Sequence, residues 1–175
     1  MPQRFYFCPV CGEKLTKRFL TGRERLICCR CGRIHYENPK YQGMGTTLVA
    51  AIIFDEKGKI LLVKRSAKIT YPGLWCIPCG YLEYDEDVRA GIVREVEEET
   101  NLVIRPLEVF AVHSNFHNPQ QHTVGIWFLS TVVSGTPFAG DDASEIGWFD
   151  LSAPPDLAFP TDKLVITELL QKLAK

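Results

Sequence analysis

Three glutamates, Glu95, Glu98 and Glu99, occupy positions i, i+3 and i+4 of the run Arg94-Glu95-Val96-Glu97-Glu98-Glu99. On a helix, residues three and four apart are surface neighbours, so the three carboxylates converge on one patch. Like charges at this spacing cost an isolated helix about 0.2 to 0.5 kcal/mol per pair, and a bound divalent cation reverses the sign of that cost. A donor set of hard oxygens without His or Cys suits Mg²⁺ or Mn²⁺, ions that retain waters and bridge to phosphate oxygens. Arg94, one residue before the cluster, is placed to brace a carboxylate from behind. A bare Glu-x-x-Glu-Glu is also the pattern of an ordinary solvated helix face, so its weight has to come from its surroundings.

A second chemical signal lies at the N-terminus. Cys8-Pro-Val-Cys11-Gly12 and Cys28-Cys29-Arg-Cys31-Gly32 are two Cys-x2-Cys-Gly units sixteen residues apart. Each supplies two thiolates to one tetrahedral zinc, and the glycine permits the tight turn that points backbone amides at sulfur. Cys28 and Cys29 compete for the third ligand position; Cys28 is preferred because it repeats the spacing of the first pair. Four protein ligands close the coordination sphere, which makes such a zinc structural. A segment of about 38 residues has too little core to fold unaided, so the metal would supply much of its stability. The stretch resembles a zinc ribbon.

A disulfide framework would need an oxidising compartment. The N-terminal residues lack the apolar stretch of a signal peptide, and no run reaches the roughly 18 to 20 apolar residues of a membrane span. The expectation is a cytoplasmic protein with no membrane partner. The net charge of −1 hides an asymmetry: residues 1–40 carry nine Lys/Arg against three Asp/Glu, and residues 41–175 carry eleven against eighteen. A basic head can face nucleic acid, a phosphate-bearing substrate or an acidic protein. Four thiolates and one zinc would reduce its charge of +6 to about +4, which weakens the nucleic-acid reading.

Several elements must hold the glutamates in place. Asp85 can cap a helix whose apolar positions Val88, Ile92, Val93 and Val96 form one core-facing stripe. Thr46 to Phe54 reads as a strand, Asp55-Glu-Lys-Gly58 as a hairpin turn, and Ile60 to Val63 as the returning strand. Leu107 to Val112 and Val124 to Val133 read as further strands, the second apolar on both faces and therefore central. Ile166, Leu169, Leu170 and Leu173 recur at helical spacing behind Asp162, a candidate cap. Asn38-Pro39 marks a turn between the two parts of the chain.

The wider spacing around the glutamates is specific. Gly80, five residues, Glu86, seven residues, then Arg94-Glu95-Val96-Glu97-Glu98-Glu99-Thr100-Asn101-Leu102 resembles the Nudix box in every charged position. Only the last glycine departs, as Asn101, and Asn tolerates the left-handed conformation of a helix C-cap. Trp75-Cys76-Ile-Pro78-Cys79-Gly80 is similar to the family's Trp-x-x-Pro-Gly-Gly approach to the box. Cys76 and Cys79 form a third Cys-x2-Cys, but no further pair lies near to complete a zinc site.

The resemblance implies an α+β fold, a Nudix α/β/α sandwich with a mixed sheet over residues 42–175, preceded by a small β zinc ribbon over residues 1–38. It implies hydrolysis of a nucleoside diphosphate linked to a second group, by water attack on phosphorus with divalent cations neutralising the diphosphate. It assigns metal binding to Glu95, Glu98, Glu99 and the carbonyl of Gly80, with Glu86 and Arg94 orienting them. Glu98 is the first candidate for general base, since proton abstraction needs a carboxylate beside the attacking water.

A ribbon ahead of such a domain is similar to the NADH pyrophosphatases, but Val112 to Thr123 lacks their Ser-Gln-Pro-Trp-Pro-Phe-Pro signature. The knuckles, Tyr36-x-Asn38-Pro39-Lys40 and Leu157-Ala158-Phe159 also resemble zinc-ribbon Nudix enzymes that split ADP-ribose or FAD. Pro119 is reminiscent of ADP-ribose pyrophosphatases. The expected substrate is an ADP-containing dinucleotide or sugar, with ADP-ribose, FAD and NADH as candidates and AMP as product. Phe116 is a candidate to stack on the base, with Trp75 and Phe159 as alternatives. Arg65 is a candidate for phosphate, and His117, with His113 and His122, for reading the substrate. Asp142 stands where relatives place a further acidic ligand, and Glu145 is its competitor. A homodimer is possible. The competing readings are a nucleic-acid-binding or ligand-sensing regulator and a pyrophosphohydrolase of nucleoside triphosphates or capped RNA.

Overall fold

The computed structural model describes residues 6–8, 10–20, 23–35, 46–83, 85–116, 123–140 and 142–174. The Asn38-Pro39 turn, His117, Pro119 and His122 lie outside the described residues. The chain divides into two compact units, Met1–Met44 and Gly45–Lys175.

In the first unit, β1 (Leu15–Leu20) pairs antiparallel with β2 (Arg23–Cys28), which pairs with the short β3 (Ile34–His35). The two cysteine turns repeat each other bond for bond. Cys8 N–H donates to Glu13 O at 2.7 Å and Gly12 N–H to Cys8 O at 2.8 Å; twenty residues on, Cys28 N–H donates to Arg33 O and Gly32 N–H to Cys28 O, both at 2.9 Å. Gly12 and Gly32 have φ of 72° and 73°, a conformation that a side chain would strain.

The second unit holds two sheets. β4 (Thr46–Ile53) runs parallel to β9 (Thr123–Gly135), and β7 (Cys79–Tyr81) and β8 (Leu102–Asn115) add antiparallel in the order β7-β4-β9-β8. The other sheet has the order β10-β5-β6, from Ala143–Phe149, Ile60–Arg65 and Trp75–Cys76. β9 is central, as its two apolar faces require. The turn after β4 forms, with Asp55 Oδ1 accepting from Lys57 and Lys59 N–H at 2.9 and 2.8 Å. The strands it joins do not form a hairpin, however. They meet only at the bridge Phe54 to Ile60, because both edges of β4 are taken by β7 and β9.

β4 shows why the layers stack as they do. Val49, Ala51 and Ile53 pack with Ile92 and Val96 of α1 (Val88–Thr100). Ala50 and Ile52 face the other way, with Val165, Ile166 and Leu169 of α2 (Pro160–Leu173). Side chains alternate along a strand, so one apolar strand serves both cores, and each buried Ile or Val contributes about 1.5 to 3 kcal/mol. This is the expected α/β/α sandwich.

Both helix caps differ from expectation. Asp87, not Asp85, caps α1, its carboxylate accepting from Arg89 and Ala90 N–H at 2.9 and 3.3 Å. α2 begins at Pro160, and Asp162 is a buried first-turn residue that accepts from Ile77 N–H at 3.0 Å. Leu170 and Leu173 are exposed; Val165 takes the core place that periodicity gave them. At the C-terminus of α1, Asn101 adopts φ 57° and its N–H donates to Glu97 O, the left-handed cap its residue type allows.

Candidate active site

α1 is set at both ends, by Asp87 and by Asn101, so its acidic side has a defined azimuth. Arg94 lies at the centre of that side. Its Nε and Nη2 donate to the two oxygens of Glu86 at 2.7 and 2.8 Å, and Nη1 donates to Glu95 at 2.7 Å and Glu98 at 3.0 Å. One guanidinium therefore ties and spaces three carboxylates while offsetting one of their charges, and its hydrogen bonds to Glu86 raise its own pKa. The bidentate half of this arrangement gives orientation as well as energy.

Glu99 faces inward. It is 7% exposed, and its Oε2 accepts from Cys79 N–H at 3.0 Å. Among the described residues no ion pair reaches it. Burial pushes its pKa well up, with the nearby Cys76 and Glu95 adding to the effect. Burial also raises Glu95, against the pull of Arg94. Gly80 packs directly on Glu95, and a Cβ there would overlap the carboxylate. The residues fit a hard divalent cation: the side chains offer only oxygen, Glu99 has no ion-pair partner among the described residues, and the glycine lets backbone approach the carboxylates.

These groups line a groove of about 510 Å³. Gly80, Glu95, Glu98 and Glu99 line it, together with Arg65, Tyr71, Asp142 and Phe159. Arg65 Nε donates to Thr70 O at 2.6 Å, its guanidinium lies 4.9 Å from the Phe159 ring centre, and Tyr71 meets that ring edge-on at 5.7 Å. A cation is thus held ready in a groove otherwise rich in carboxylate. Asp142 lines the groove, whereas its competitor Glu145 pairs with Lys64 at 2.8 Å.

Phe116 is 73% exposed and is not among the groove residues; Phe159 is. Trp75 packs edge-on against Phe149 at 4.8 Å. His113 Nε2 lies 3.1 Å from Glu168, away from the carboxylates. Tyr71 was not among the residues that the sequence singles out. Its φ of 58°, rare for a bulky residue, marks it as specially held, and no local pattern carries that information.

In the first unit the ligand atoms of Cys8, Cys11, Cys28 and Cys31 all lie within 4.8 Å of one another. Cys8 and Cys31 sulfurs are 3.7 Å apart, and Cys11 and Cys28 3.3 Å. Burial opposes a thiolate at Cys8, but the amides of Val10 and Cys11 and the neighbouring thiols outweigh it and bring the pKa down to about 6. Cys29 is exposed and turns to the Thr16 hydroxyl at 3.1 Å.

An α/β/α sandwich carrying an arginine-braced acidic helix at a groove, in one chain with a four-cysteine unit, defines the class. A family model described as the NUDIX domain matches residues 45–169, and one described as Nudix N-terminal, a zinc ribbon, matches residues 6–37. The chain belongs to the Nudix hydrolase family. An ADP-ribose pyrophosphatase of Methanocaldococcus jannaschii is 37% identical over 114 residues, 65% of this chain and 67% of that one. The NAD-capped RNA hydrolase NudC of Pseudomonas aeruginosa is 28% identical over 166 residues, 94% of this chain, which spans only 54% of that relative's length. The crystal structure of a Nudix hydrolase from Nitrosomonas europaea matches with a TM-score of 0.67 at 29% identity, covering 96% of this chain and 92% of that one. No helix among the described residues is long and apolar enough to cross a membrane.

Proposed function

We propose that this chain hydrolyses the diphosphate of ADP-containing dinucleotides or sugars, ADP-ribose foremost, releasing AMP. The observation that carries the reading is the pairing, in one groove, of the Glu95, Glu98 and Glu99 carboxylates with the preset guanidinium of Arg65. A diphosphate needs cationic contacts, and it needs carboxylates that hold cations and take a proton. The names of the methanogen enzyme and of NudC support the ADP-containing class.

Mg²⁺ or Mn²⁺ would be held by Glu95, Glu98, Glu99 and the carbonyl of Gly80, with Asp142 as a further acidic ligand. Bound there, the ions would neutralise the diphosphate and acidify water. Glu98, the exposed member of the cluster, is the candidate to take the proton from the attacking water. Arg94 and Glu86 keep Glu95 and Glu98 oriented. Arg65 binds a phosphoryl oxygen. In the ribbon, Cys8, Cys11, Cys28 and Cys31 would hold one structural Zn²⁺.

The test is a hydrolysis screen over ADP-ribose, FAD, NADH and nucleoside triphosphates with Mg²⁺ and with Mn²⁺. AMP release from ADP-ribose is expected, together with loss of turnover in Glu98→Gln while zinc content and melting temperature hold. Unchanged turnover in that variant would remove Glu98 from the reaction. Activity confined to nucleoside triphosphates would sink the substrate assignment.

A further inference from the structure

Arg65, at the end of β5, is held along its whole length. Its N–H donates to Leu74 O, and its carbonyl accepts from Gly73 N–H, both at 2.9 Å. The side chain turns back over the loop between these residues, Nε donating to Thr70 O at 2.6 Å and Nη2 to Thr70 Oγ1 at 3.1 Å. The Phe159 ring, 4.9 Å from the guanidinium carbon, is the remaining support. Phe159 is itself fixed, as the N-cap of α2 and the neighbour of Ala158, whose N–H donates to Trp75 O at 2.8 Å. No hydrogen bond among the described residues engages Nη1 of Arg65, and Arg65 lines the groove.

Tyr71 completes this arrangement in a conformation that costs free energy. Its φ of 58° lies in the left-handed region that bulky residues avoid, and Pro72 pushes the residue before it towards extended conformations instead. The local turn does not require it. Leu74 N–H reaches Tyr71 O at 3.4 Å across Pro72 and Gly73, and Gly73 has φ 77°. Pro in the second place and a positive-φ glycine in the third are the needs of a type II turn, which sets no such demand on its first residue. What the conformation does supply is placement. The φ of Tyr71 sets the tilt of the peptide plane that carries Thr70 O, the acceptor of Arg65 Nε, and it brings the Tyr71 ring edge-on to Phe159 at 5.7 Å. Backbone strain of this kind collects at ligand clamps, where the surrounding structure holds it in place.

We propose that Tyr71 is a positioning residue for Arg65. Its strained backbone aims Thr70 O at Nε, its ring braces the Phe159 wall, and the Nη1 amino group is thereby set for the substrate's diphosphate before substrate arrives. The inference rests on the reading of Arg65 as a phosphate ligand in a hydrolase of ADP-containing substrates. An unrestrained arginine side chain loses rotamer freedom when it binds, and that loss weakens affinity. Here the side chain is ordered by folding, so substrate binding does not bear the loss. Arg65 would hold the diphosphate in the ground state and in the transition state alike, so its placement governs KM more than kcat.

The test is a double-mutant cycle read in KM and kcat for ADP-ribose. Tyr71→Gly accepts a positive φ without strain and removes the ring. It should raise KM by about three- to tenfold, the scale of releasing one long side chain, while kcat stays within about twofold. The melting temperature should hold or rise, because the strain is relieved. Tyr71→Phe keeps the ring and should return KM to within about twofold of the wild type. In an Arg65→Gln background, Tyr71→Gly should change KM by less than about twofold, since no guanidinium remains to be positioned.

An unchanged KM in Tyr71→Gly overturns the proposal. So does a loss that persists in full beside Arg65→Gln, which makes Tyr71 a substrate contact in its own right. A joint fall of kcat and melting temperature in Tyr71→Gly also overturns it, because that marks general damage to the loop. If the wild type does not split ADP-ribose, the proposed function has failed by itself, and calorimetric titration with ADP in Mg²⁺ then judges the positioning. Binding weakened by Tyr71→Gly in the wild type but not beside Arg65→Gln upholds it; equal affinities, or no binding by the wild type, reject it.

Discussion

Arg94 grips Glu86 with two parallel hydrogen bonds, at 2.7 and 2.8 Å, and the remaining amino group of its guanidinium reaches both Glu95 and Glu98. Glu86 therefore acts on the groove through Arg94. Lysine is a point charge and cannot reproduce a planar fork that meets three carboxylates. Arg94→Lys and Glu86→Gln should each lower kcat/KM or apparent Mg²⁺ affinity by about 10- to 100-fold, the usual effect of removing support behind a metal ligand. Activity measured across a Mg²⁺ titration checks this, and unaltered metal dependence in both variants would contradict it.

Gly80 is open to a steric test. A Cβ at this position would overlap the Glu95 carboxylate, so Gly80→Ala must displace a candidate ligand by pushing on it from the strand side. The expected outcome is a loss of about 10-fold or more in Mn²⁺ affinity, followed by electron paramagnetic resonance of the free ion, with little change in melting temperature. Wild-type affinity in Gly80→Ala would mean that Glu95 does not hold the cation in this position.

The choice between Cys28 and Cys29 can be made with zinc analysis. Cys28 repeats the backbone bonds of Cys8 and lies within the four-sulfur cluster, whereas Cys29 hydrogen-bonds Thr16. Cys29→Ser should retain one zinc per chain by atomic absorption; Cys28→Ser should lose it. Strong chelation should unfold the Met1–Met44 unit, since structural zinc supplies folding energy outright. A ribbon that keeps its amide protection after zinc removal would refute this.

Asp162 gives a pH dependence of defined sign. Burial raises its carboxyl from 3.8 to about 7, against the Ile77 N–H and the Trp127 side chain, which favour the charge. A carboxyl whose folded pKa lies above its unfolded value binds more protons in the folded state. Its contribution to stability is whole below the unfolded value of 3.8 and is lost as pH climbs through about 7. Asp162→Asn keeps an acceptor for Ile77 and does not titrate. In chelator-treated protein the melting temperature of the wild type should fall relative to Asp162→Asn by several degrees as pH rises through that window. A constant difference between the two would disprove the assignment. Glu95 and Glu99 titrate with the same sign in both proteins, so the comparison cancels them.

The parts legible in the sequence were those set by short-range spacing. The cysteine pairs and the acidic helix are patterns of fixed offset, and Asn101 could be read as a cap because few side chains tolerate its φ. Pairing between strands is not encoded that way. Apolar runs marked β4 and β5, but nothing local says that they enter different sheets. Asp85 and Asp87 are equally good caps by residue type, and only the amides of Arg89 and Ala90 distinguish them. Asp162 looked like a cap because a first-turn aspartate usually is one; its actual partner, Ile77, is 85 residues away. Arg65 was legible as a phosphate candidate from its charge and Phe159 as one of three aromatics, while the meeting of Arg65, Tyr71 and Phe159 in one groove depended on chain segments that come together only in the fold.

The doubly anchored helix also limits how this protein can diverge. One residue inserted between Asp87 and Asn101 would turn everything beyond it by about 100° and advance it by about 1.5 Å. Val96 would then take the exposed place of Glu97, and Glu99 the fully buried place of Thr100. Loop lengths elsewhere can drift while the fold persists, but this stretch cannot absorb an insertion or deletion. Among descendants of this sequence, substitutions can accumulate between Glu86 and Glu99 outside the cap and the acidic cluster with its arginine, while changes in their separation should be eliminated.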